Sequence, residues 1–302
     1  MKWIWRVLGV SLLLALVAAV AFLLRPVSVF NALTYLQEDF SGFDSRTVRV
    51  DGIRVHYLAI GPAHGPPVVL VHGLGSRAED WRNLAPYLAH AGFRVYLPDL
   101  PGYGRSEQPA GFSYSVRDEA AVVVGFLDVL GLKEVDLGGW SMGGWIVQLI
   151  AAEHPERVKR LMLFDSVGLD IQPTWNTNLF MPTSAAELDQ LDALLMPRPP
   201  QVPAYVVRDI LRGSRSHAWV IRRALDSMLS GQDVTDKLLP GLKMPVLIQW
   251  GELDRITPVG QAETMHRLIR QSQLEVFAGC GHLAPLECTT QMGPKVVSFL
   301  QQ

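Results

Sequence analysis

The chain has 302 residues, of which 49% are hydrophobic and 19% charged, so it carries far too much apolar surface for a disordered protein. Its 27 lysines and arginines against 29 aspartates and glutamates leave a formal net charge of −2, whereas general nucleic-acid-binding proteins are usually strongly basic. The 2 cysteines, Cys280 and Cys288, are too few for a disulfide framework or a four-cysteine zinc site, and one bridge between them stays open.

The first predicted element is an apolar helix near the amino terminus. Residues 7–24 read VLGVSLLLALVAAVAFLL without a charge. As a helix this run would span about 27 Å, close to the ~30 Å hydrocarbon core of a bilayer. We therefore predict a membrane anchor over residues 1–25, with Trp3 and Trp5 at the interface. A signal peptide cleaved near residues 19–21 and a buried soluble helix are the alternatives.

Charges on either side of this segment indicate its orientation. Lys2 and Arg6 precede the apolar run, while Arg25 directly follows it. Under the positive-inside rule this distribution favours an anchor that places the rest of the chain in the periplasm or outside the cell.

Residues 26–45 are predicted to form a juxtamembrane helix or linker. Phe30, Leu33, Leu36 and Phe40 recur at spacings of three and four, which is typical of an amphipathic helix. Such a helix lies on the membrane surface or packs on the main domain, and the pattern does not decide between the two.

From residue 46 to the carboxyl terminus, strands and helices alternate, which predicts an α/β domain with a mostly parallel sheet. Two strands flank the turn dipeptide Asp51-Gly52, and the later apolar runs are typical of strands covered on both faces. The predicted strands are 47–50, 53–59, 67–71, 93–97, 135–137, 161–164, 246–250 and 274–277. The predicted helices lie near 81–91, 114–130, 142–153, 260–269 and 289–300.

The interval from about residue 169 to 240 breaks this alternation. It contains several prolines and no convincing buried strand, and helical patterns occur at 185–195 and 218–229. We predict a helical cap inserted after the sixth core strand. Its candidate residues for an apolar substrate pocket are Trp175, Leu179, Phe180, Leu194, Leu195 and Trp219.

The sequence Gly-Trp-Ser-Met-Gly at 139–143 lies directly after a predicted strand and directly before a predicted helix. This is the context of a nucleophile elbow, whose tight turn needs glycines on both sides of the serine. A dinucleotide fingerprint fails because Trp140 replaces its second glycine, and no G-K-[ST] follows to make a phosphate loop. Ser141 is the candidate nucleophile, and an ordinary glycine-rich turn is the alternative.

A serine hydroxyl needs a base, and His282 is the candidate because it lies in a loop after the last predicted strand. The chain order Ser, Asp, His requires an acid that follows a strand between these two residues. Asp254 meets this requirement and would orient the histidine. Asp165 is the alternative acid, while Glu252 is predicted to be a solvated loop carboxylate.

A tetrahedral intermediate needs hydrogen-bond donors for its oxyanion. The predicted donors are the backbone N–H groups of Met142, directly after the serine, and of Leu74, in the loop after strand 67–71. His72 is predicted to hold that loop rather than to take part in the chemistry. No motif supports a metal ion or an organic cofactor, and none is expected.

These separated motifs together resemble the α/β-hydrolase superfamily. The motifs are HGLG at 72–75, DLPGYGRS at 99–106, GWSMGG at 139–144, GELDRITP at 251–258 and GHLAPLE at 281–287. The resemblance implies an α/β-hydrolase fold over residues 46–302, with a mostly parallel eight-stranded sheet flanked by helices and an inserted cap. It further implies a Ser141–Asp254–His282 triad and a supporting role for Glu287.

The anchor and the capped core are similar to the membrane-anchored monoacylglycerol lipases of the α/β-hydrolase domain group. This resemblance implies a membrane-attached serine hydrolase that cleaves carboxylic esters of lipid-like or apolar substrates through an acyl-enzyme. Its expected partners are an apolar ester and the bilayer, with no nucleic acid. Those lipases generally face the cytosol, whereas the charges here predict the opposite side.

Other activities that occur on this fold are alternatives to ester hydrolysis. The meta-cleavage-product hydrolases have similar motifs and split carbon–carbon bonds, although Leu283 stands where they commonly carry tryptophan. Thioester or amide hydrolysis and a non-catalytic binding protein also stay open. Ser141 argues against haloalkane dehalogenases and epoxide hydrolases, which use an aspartate nucleophile.

Overall fold

The computed structural model describes residues 2–38 and 41–302. Eight strands of these residues form one sheet: β1 (Asp44–Val50), β2 (Ile53–Ile60), β3 (Pro67–Val71), β4 (Arg94–Pro98), β5 (Val135–Trp140), β6 (Val158–Phe164), β7 (Val246–Gly251) and β8 (Ser272–Phe277). The α-helices are α1 (Lys2–Leu24), α2 (Pro26–Glu38), α3 (Ala85–His90), α4 (Val116–Val129), α5 (Met142–Glu153), α6 (Ala185–Leu195), α7 (Ala204–Leu229), α8 (Gly260–Leu268), α9 (Ala284–Glu287) and α10 (Thr289–Leu300).

The strands follow the order β1-β2-β4-β3-β5-β6-β7-β8 across the sheet. β2 is antiparallel to its neighbours β1 and β4, and the other neighbouring pairs are parallel. The predicted mostly parallel sheet of eight strands is therefore confirmed. The hairpin between β1 and β2 turns at Asp51 and Gly52, whose φ angles of 46° and 85° are those a two-residue turn requires.

Helices cover both faces of the sheet and enclose two apolar cores. α4, α5 and α8 bury apolar side chains on one face, while α3 and α10 pack on the other. Phe126 and Ile146 are fully buried on the first face, as is Leu88 on the second. Burying each such side chain stabilises the fold by about 1.5–3 kcal/mol. The central strands β3, β5 and β7 are therefore buried almost throughout, whereas the edge strands β1 and β8 carry exposed residues.

The cap lies between β6 and β7 and contains α6 and α7. Helix α6 has the predicted bounds, whereas the predicted helix at 218–229 is only the second half of α7, which begins at Ala204. Pro203 precedes its first turn, where a missing N–H costs nothing. Polar residues at 212–217 interrupt the apolar spacing, and they hide the continuity of this helix in the sequence.

The predicted amino-terminal helix is present as α1. Over the residues that the structure describes, however, no helix combines the length and the apolar character needed to cross a membrane. The transmembrane span predicted within residues 1–25 is therefore not supported.

Helix α2 packs on the domain through its polar side. Asn31 accepts a hydrogen bond from Arg77 at 2.9 Å, and Tyr35 lies against the guanidinium of Arg105 at 4.2 Å from the ring centroid. The opposite, apolar face carries Phe30, Leu33 and Leu36, which are exposed by 53%, 53% and 68%. The apolar face therefore does not pack on the main domain. The fourth residue of the predicted pattern, Phe40, lies outside the described residues.

Candidate active site

Ser141 sits at the turn between β5 and α5. Its φ of 55° and ψ of −118° lie in a region that residues with a side chain rarely adopt, at a cost of roughly 1–3 kcal/mol. A Cβ atom at Gly139 would lie 2.2 Å from the carbonyl oxygen of Gly143. A Cβ atom at Gly143 would lie 2.3 Å from the carbonyl oxygen of Val71. The elbow therefore closes only because both flanking positions are glycine.

Three side chains from separate loops form one hydrogen-bonded chain. Nε2 of His282 lies 3.0 Å from Oγ of Ser141, and Nδ1 of His282 lies 2.8 Å from Oδ2 of Asp254. All three residues are buried. A neutral histidine that carries its proton on Nδ1 donates to the carboxylate and accepts from the serine hydroxyl at Nε2. This arrangement can remove the hydroxyl proton as the serine attacks an electrophilic carbon.

The turn after Asp254 fixes the orientation of its carboxylate. Oδ1 accepts hydrogen bonds from the backbone N–H groups of Ile256, at 2.8 Å, and of Thr257, at 2.9 Å. The Thr257 hydroxyl donates to Oδ2 over 2.6 Å and lies 3.3 Å from Nδ1 of His282. Sequence reasoning missed Thr257. Its signal was available, since a threonine three residues after an aspartate is a common partner in local side-chain turns.

Asp165, the alternative acid, directly follows β6 and makes its hydrogen bond elsewhere. Its Oδ1 accepts the backbone N–H of Gly251 over 2.7 Å, and its Oδ2 is buried without a partner among the described residues. Burial, and then the neighbouring Asp254 carboxylate, raise the pKa of Asp165 well above its ordinary value. The neutral form of Asp165 is therefore favoured, while Asp254 makes the contact with His282. Glu252, as predicted, is exposed on the loop.

The loop after β3 approaches the serine closely. A Cβ atom at Gly73 would lie 3.1 Å from Cβ of Ser141, which is tighter than most contacts of real Cβ atoms, so glycine favours this approach. Leu74, the next residue, lines the cavity that Ser141 faces. Met142 begins α5, and the N–H groups of a first helical turn have no partner within the helix. Both predicted oxyanion donors thus belong to segments that meet at Ser141.

His72 holds the same loop, in agreement with the sequence. Its Nδ1 lies 2.9 Å from the carbonyl oxygen of Gly73, and its Nε2 accepts the backbone N–H of Leu100 at 3.0 Å. Burial lowers the pKa of His72, which keeps the ring neutral. One ring nitrogen therefore donates and the other accepts, so the histidine joins two loops.

A disulfide between Cys280 and Cys288 brackets the segment that carries His282. Within this segment the side chain of Glu287 accepts the backbone N–H of Gly281 at 3.1 Å. Burial raises the pKa of Glu287 above its ordinary value. The cystine and the glutamate together restrict the loop that presents the histidine.

The backbone of His282 is held from both sides. Its N–H donates to the carbonyl oxygen of Leu195, at the end of α6, over 2.9 Å. Its own carbonyl oxygen accepts the indole N–H of Trp140 over 2.9 Å. Because Leu195 belongs to the cap, the position of the histidine depends directly on the position of the cap.

Ser141 faces an apolar cavity of about 540 Å³ between core and cap. Phe180 and Leu195, both predicted to line a pocket, form part of its wall. A larger space of about 1290 Å³ shares five of its wall residues, namely Leu74, Gly75, Ser76, Phe180 and Leu195. The two spaces therefore form one groove from the serine to Asn31 and Tyr35 on α2. The predicted liner Trp219 instead lies outside, 37% exposed, with Arg223 over its ring.

A family described as the alpha/beta hydrolase fold matches residues 66–219, which include the serine elbow and the loop after β3. The chain belongs to this family. The fold and the superfamily predicted from the motifs are therefore confirmed.

The chain is similar to alpha/beta hydrolases of different activities. It is 31% identical to the 2-hydroxy-6-oxo-2,4-heptadienoate hydrolase of Pseudomonas putida, over 80% of this chain and 91% of that protein. It is 26% identical to Lipase 1 of Psychrobacter immobilis, over 82% and 81% of the two chains. The crystal structure of a membrane phospholipase A, a bacterial virulence factor, superimposes with a TM-score of 0.83 at 27% identity, covering 100% of this chain and 98% of that one.

These relatives establish a hydrolase of the alpha/beta family. They include both lipases and hydrolases of dienoate substrates, at similar identity and coverage. Family membership alone therefore leaves open which bond this hydrolase cleaves.

Proposed function

We propose that this protein is a membrane-attached serine hydrolase that cleaves carboxylic esters of lipid-like or apolar substrates, with monoacylglycerols as the preferred class. The observation that carries the proposal is the Ser141–His282–Asp254 chain at the inner end of an apolar groove. A nucleophile in such a groove suits an ester whose acyl chain is apolar.

The proposed reaction follows from the positions of the atoms. Nε2 of His282 takes the hydroxyl proton as Oγ of Ser141 attacks the ester carbonyl, and Asp254 stabilises the imidazolium that forms. The N–H groups of Leu74 and Met142 hold the oxyanion. His282 then protonates the leaving alcohol, which leaves an acyl-enzyme. Water, deprotonated by the same histidine, releases the carboxylic acid and restores the serine.

The composition of the groove supports an ester with one apolar chain and a polar alcohol. Its walls include the apolar residues Leu188, Leu191 and Ile210. They also include hydrogen-bonding groups on Ser76 and Ser214. An acyl chain would be buried against the former, while glycerol hydroxyls would find partners among the latter.

Membrane attachment is proposed on the exposed apolar surface of the two amino-terminal helices. On α1 the side chains of Trp3 and Leu12 are 75% and 74% exposed, and α2 adds the face formed by Phe30, Leu33 and Leu36. Exposed apolar patches of this kind mark contact sites for membranes or partners. The similarity to a membrane phospholipase A over the full chain supports the same proposal.

The side of the membrane is proposed to be the periplasm or the exterior. Disulfides persist in oxidising compartments and are rare in the cytosol. The bridge between Cys280 and Cys288 therefore supports a location of the domain in the periplasm or outside the cell.

The test is hydrolysis of monoacylglycerols of increasing acyl length beside short p-nitrophenyl esters, in detergent, by wild type and Ser141→Ala. We expect activity on medium or long monoacylglycerols that falls by about 10⁴-fold or more in Ser141→Ala, as removal of a serine nucleophile does. Ser230→Ala, at an exposed serine, is the matched control. Activity equal in Ser141→Ala would end the proposal.

Attachment is tested by flotation of the full chain with anionic phospholipid vesicles. The double variant Phe30→Ser/Leu33→Ser removes part of the apolar face of α2 and should float less than wild type. Ser28→Ala, on the same helix, is the control. Flotation that is equal in all three proteins would contradict a role of this face.

Carbon–carbon hydrolysis of a vinylogous dienoate is the second candidate, because the Pseudomonas putida relative is 31% identical over most of both chains. The same wild-type and Ser141→Ala pair is assayed on 2-hydroxy-6-oxo-2,4-heptadienoate. Serine-dependent cleavage of this compound, together with inactivity on every ester, would replace the ester proposal by this one.

A further inference from the structure

A second cavity, of about 640 Å³, lies between core and cap and is separate from the groove at Ser141. We call it the rear cavity. Its wall is formed by Trp145 of α5, by Leu225 and Met228 of α7, and by Trp175 and Ile256 in loops. Ser141, His282 and Asp254 are not among its lining residues.

An aromatic pair divides the two spaces. Trp175 lines the rear cavity, Phe180 lines the cavity at Ser141, and their ring centroids lie 5.6 Å apart. Offset or tilted rings at this distance attract each other, which stabilises the partition. The rear cavity and the cavity at Ser141 share no lining residue.

The rear cavity opens to the surface on its own side. A depression of about 460 Å³ shares with it Ile171, Gln172, Pro173, Ile256 and Gln261. Ile171 at this rim is 47% exposed. A ligand can therefore reach the rear cavity without passing Ser141.

The wall of the rear cavity is bonded to the turn that orients Asp254. The indole N–H of Trp175 donates to the carbonyl oxygen of Ile256 over 3.0 Å. The N–H of Ile256 in turn donates to Asp254, as does that of Thr257, which also lines the cavity. A ligand that packs on Trp175 and Ile256 thus contacts the residues that hold the carboxylate opposite His282.

The lining selects an uncharged ligand. The walls are mainly apolar, and the charged residue on them is the acid Asp170, with no lysine or arginine among the described lining residues. A fatty-acid carboxylate would find no cation there, whereas Gln172, Gln261 and Thr177 offer neutral hydrogen-bonding groups for hydroxyls.

We propose that the rear cavity is a regulatory site for an uncharged single-chain lipid, whose binding raises the activity of Ser141 by fixing the turn that orients Asp254. This inference rests on the proposed esterase function. A bound chain adds contacts to Trp175 and Ile256 in the arrangement that the Asp254 network requires, so binding favours that arrangement. The activating ligand then belongs to the same chemical class as the substrate but occupies a different place.

The binding test uses 1-O-dodecylglycerol, an ether lipid that has no ester to cleave. The full chain in detergent is first labelled at Ser141 with a small fluorophosphonate, and binding of the ether lipid is measured by calorimetry. Met228→Trp fills the rear cavity from α7, and Leu229→Trp at its rim is a second variant. Asp226→Trp, exposed on the same helix, is the matched control. We expect binding by wild type and by the control, and loss of binding in both filling variants.

The activity test measures hydrolysis of p-nitrophenyl acetate, which is too small to need the rear cavity. In wild type and in Asp226→Trp, 1-O-dodecylglycerol should raise kcat/KM by about 5-fold or more, the lower end of typical couplings between sites. In Met228→Trp and Leu229→Trp the increase should vanish. Dodecanoate, with the same chain and a negative charge, should not activate wild type.

Three results would overturn the proposal: equal binding by wild type and both filling variants, equal activation in all of them, or pure inhibition. Equal activation would point to the lipid–water interface, and pure inhibition to binding at Ser141 alone. Failure of the ester hypothesis is recognised separately, as absence of Ser141-dependent hydrolysis. Calorimetry on the unlabelled chain then still decides whether the rear cavity is occupied.

Discussion

The backbone N–H of Val27 donates to Oδ2 of Asp209 over 3.0 Å. Val27 lies in the first turn of α2, where N–H groups have no partner within the helix, and a negative charge at this end is favourable. The Asp209 side chain is only 5% exposed on α7, and its Oδ1 accepts from Arg212 at 2.8 Å. A buried carboxylate of the cap thus attaches α2 to the domain.

Asp209→Ala should release α2 from the cap. Loss of hydrogen bonds to a buried charge costs about 1.5–3 kcal/mol each, so we expect a lower Tm and faster limited proteolysis within residues 25–38. Hydrolysis of short soluble esters should change little, because the hydrogen bonds of Asp209 go to Val27 and Arg212 and not to Ser141, His282 or Asp254. Asp226→Ala, exposed on the same helix, is the control. Identical proteolysis patterns for both variants would show that Asp209 does not hold α2.

Asp254→Asn should lower kcat by about 10⁴-fold while Tm stays close to that of wild type, because the amide favours the wrong histidine tautomer. Asp165→Asn should retain most activity, since a neutral amide oxygen can still accept the N–H of Gly251. Glu252→Gln on the same exposed loop is the control. Steady-state kinetics of the three variants check the assignment, and the reverse ranking of Asp254 and Asp165 would make Asp165 the acid.

The double variant Cys280→Ala/Cys288→Ala should lose both stability and activity. Closing so short a loop stabilises by about 2–3 kcal/mol in the chain-entropy description, and the same bridge restricts the segment that carries His282. We expect a lower Tm and a lower kcat with little change in KM. A reductant should lower the activity of wild type and leave the double variant unaffected. A double variant with wild-type kcat would show that the bridge does not position the histidine.

Glu119 makes stability depend on pH. It is fully buried on α4, with both carboxylate oxygens unpartnered among the described residues. Burial, and then Asp118, raise its pKa well above the ordinary value. Between the unfolded and the folded pKa the native state binds the extra proton, so stability falls as pH rises, by up to about 1.4 kcal/mol per pH unit. Glu119→Gln should flatten the fall of Tm from pH 5 to 9, and Asp118→Asn should flatten it less, because burial is the larger cause of the raised pKa.

Local sequence patterns predicted the bounds of several helices and strands. The bounds of β3, α5, α6 and α10 follow from apolar periodicity with clear ends. The predicted helix at 81–91 instead divides into a 3-10 turn, Ala78–Trp81, and the short α3. Pro86 explains this difference, because a proline in the interior of a longer helix would remove a hydrogen bond and clash with the preceding turn.

The candidate site, too, could be predicted from the sequence only in part. Ser141, Asp254 and His282 each sit in a short motif beside a strand end, so they could be named as candidates from the sequence. Asp165 also follows a strand, so chain order alone left it open as the acid. The contact of Leu195 with the backbone of His282, and the pairing of Trp175 with Ile256, join segments far apart in the chain. No local sequence pattern encodes such contacts, because they depend on how the cap packs on the core.

The crowding at the serine elbow limits which positions of this enzyme can accept substitutions. A Cβ atom at Gly144 would lie 2.0 Å from Oγ of Ser166, a space as restricted as those at Gly139 and Gly143. Substitutions at these positions disrupt the turn that carries Ser141, so neutral changes are not expected there. The cap between β6 and β7 contains none of these three glycines, so substitutions within it leave the serine elbow itself intact.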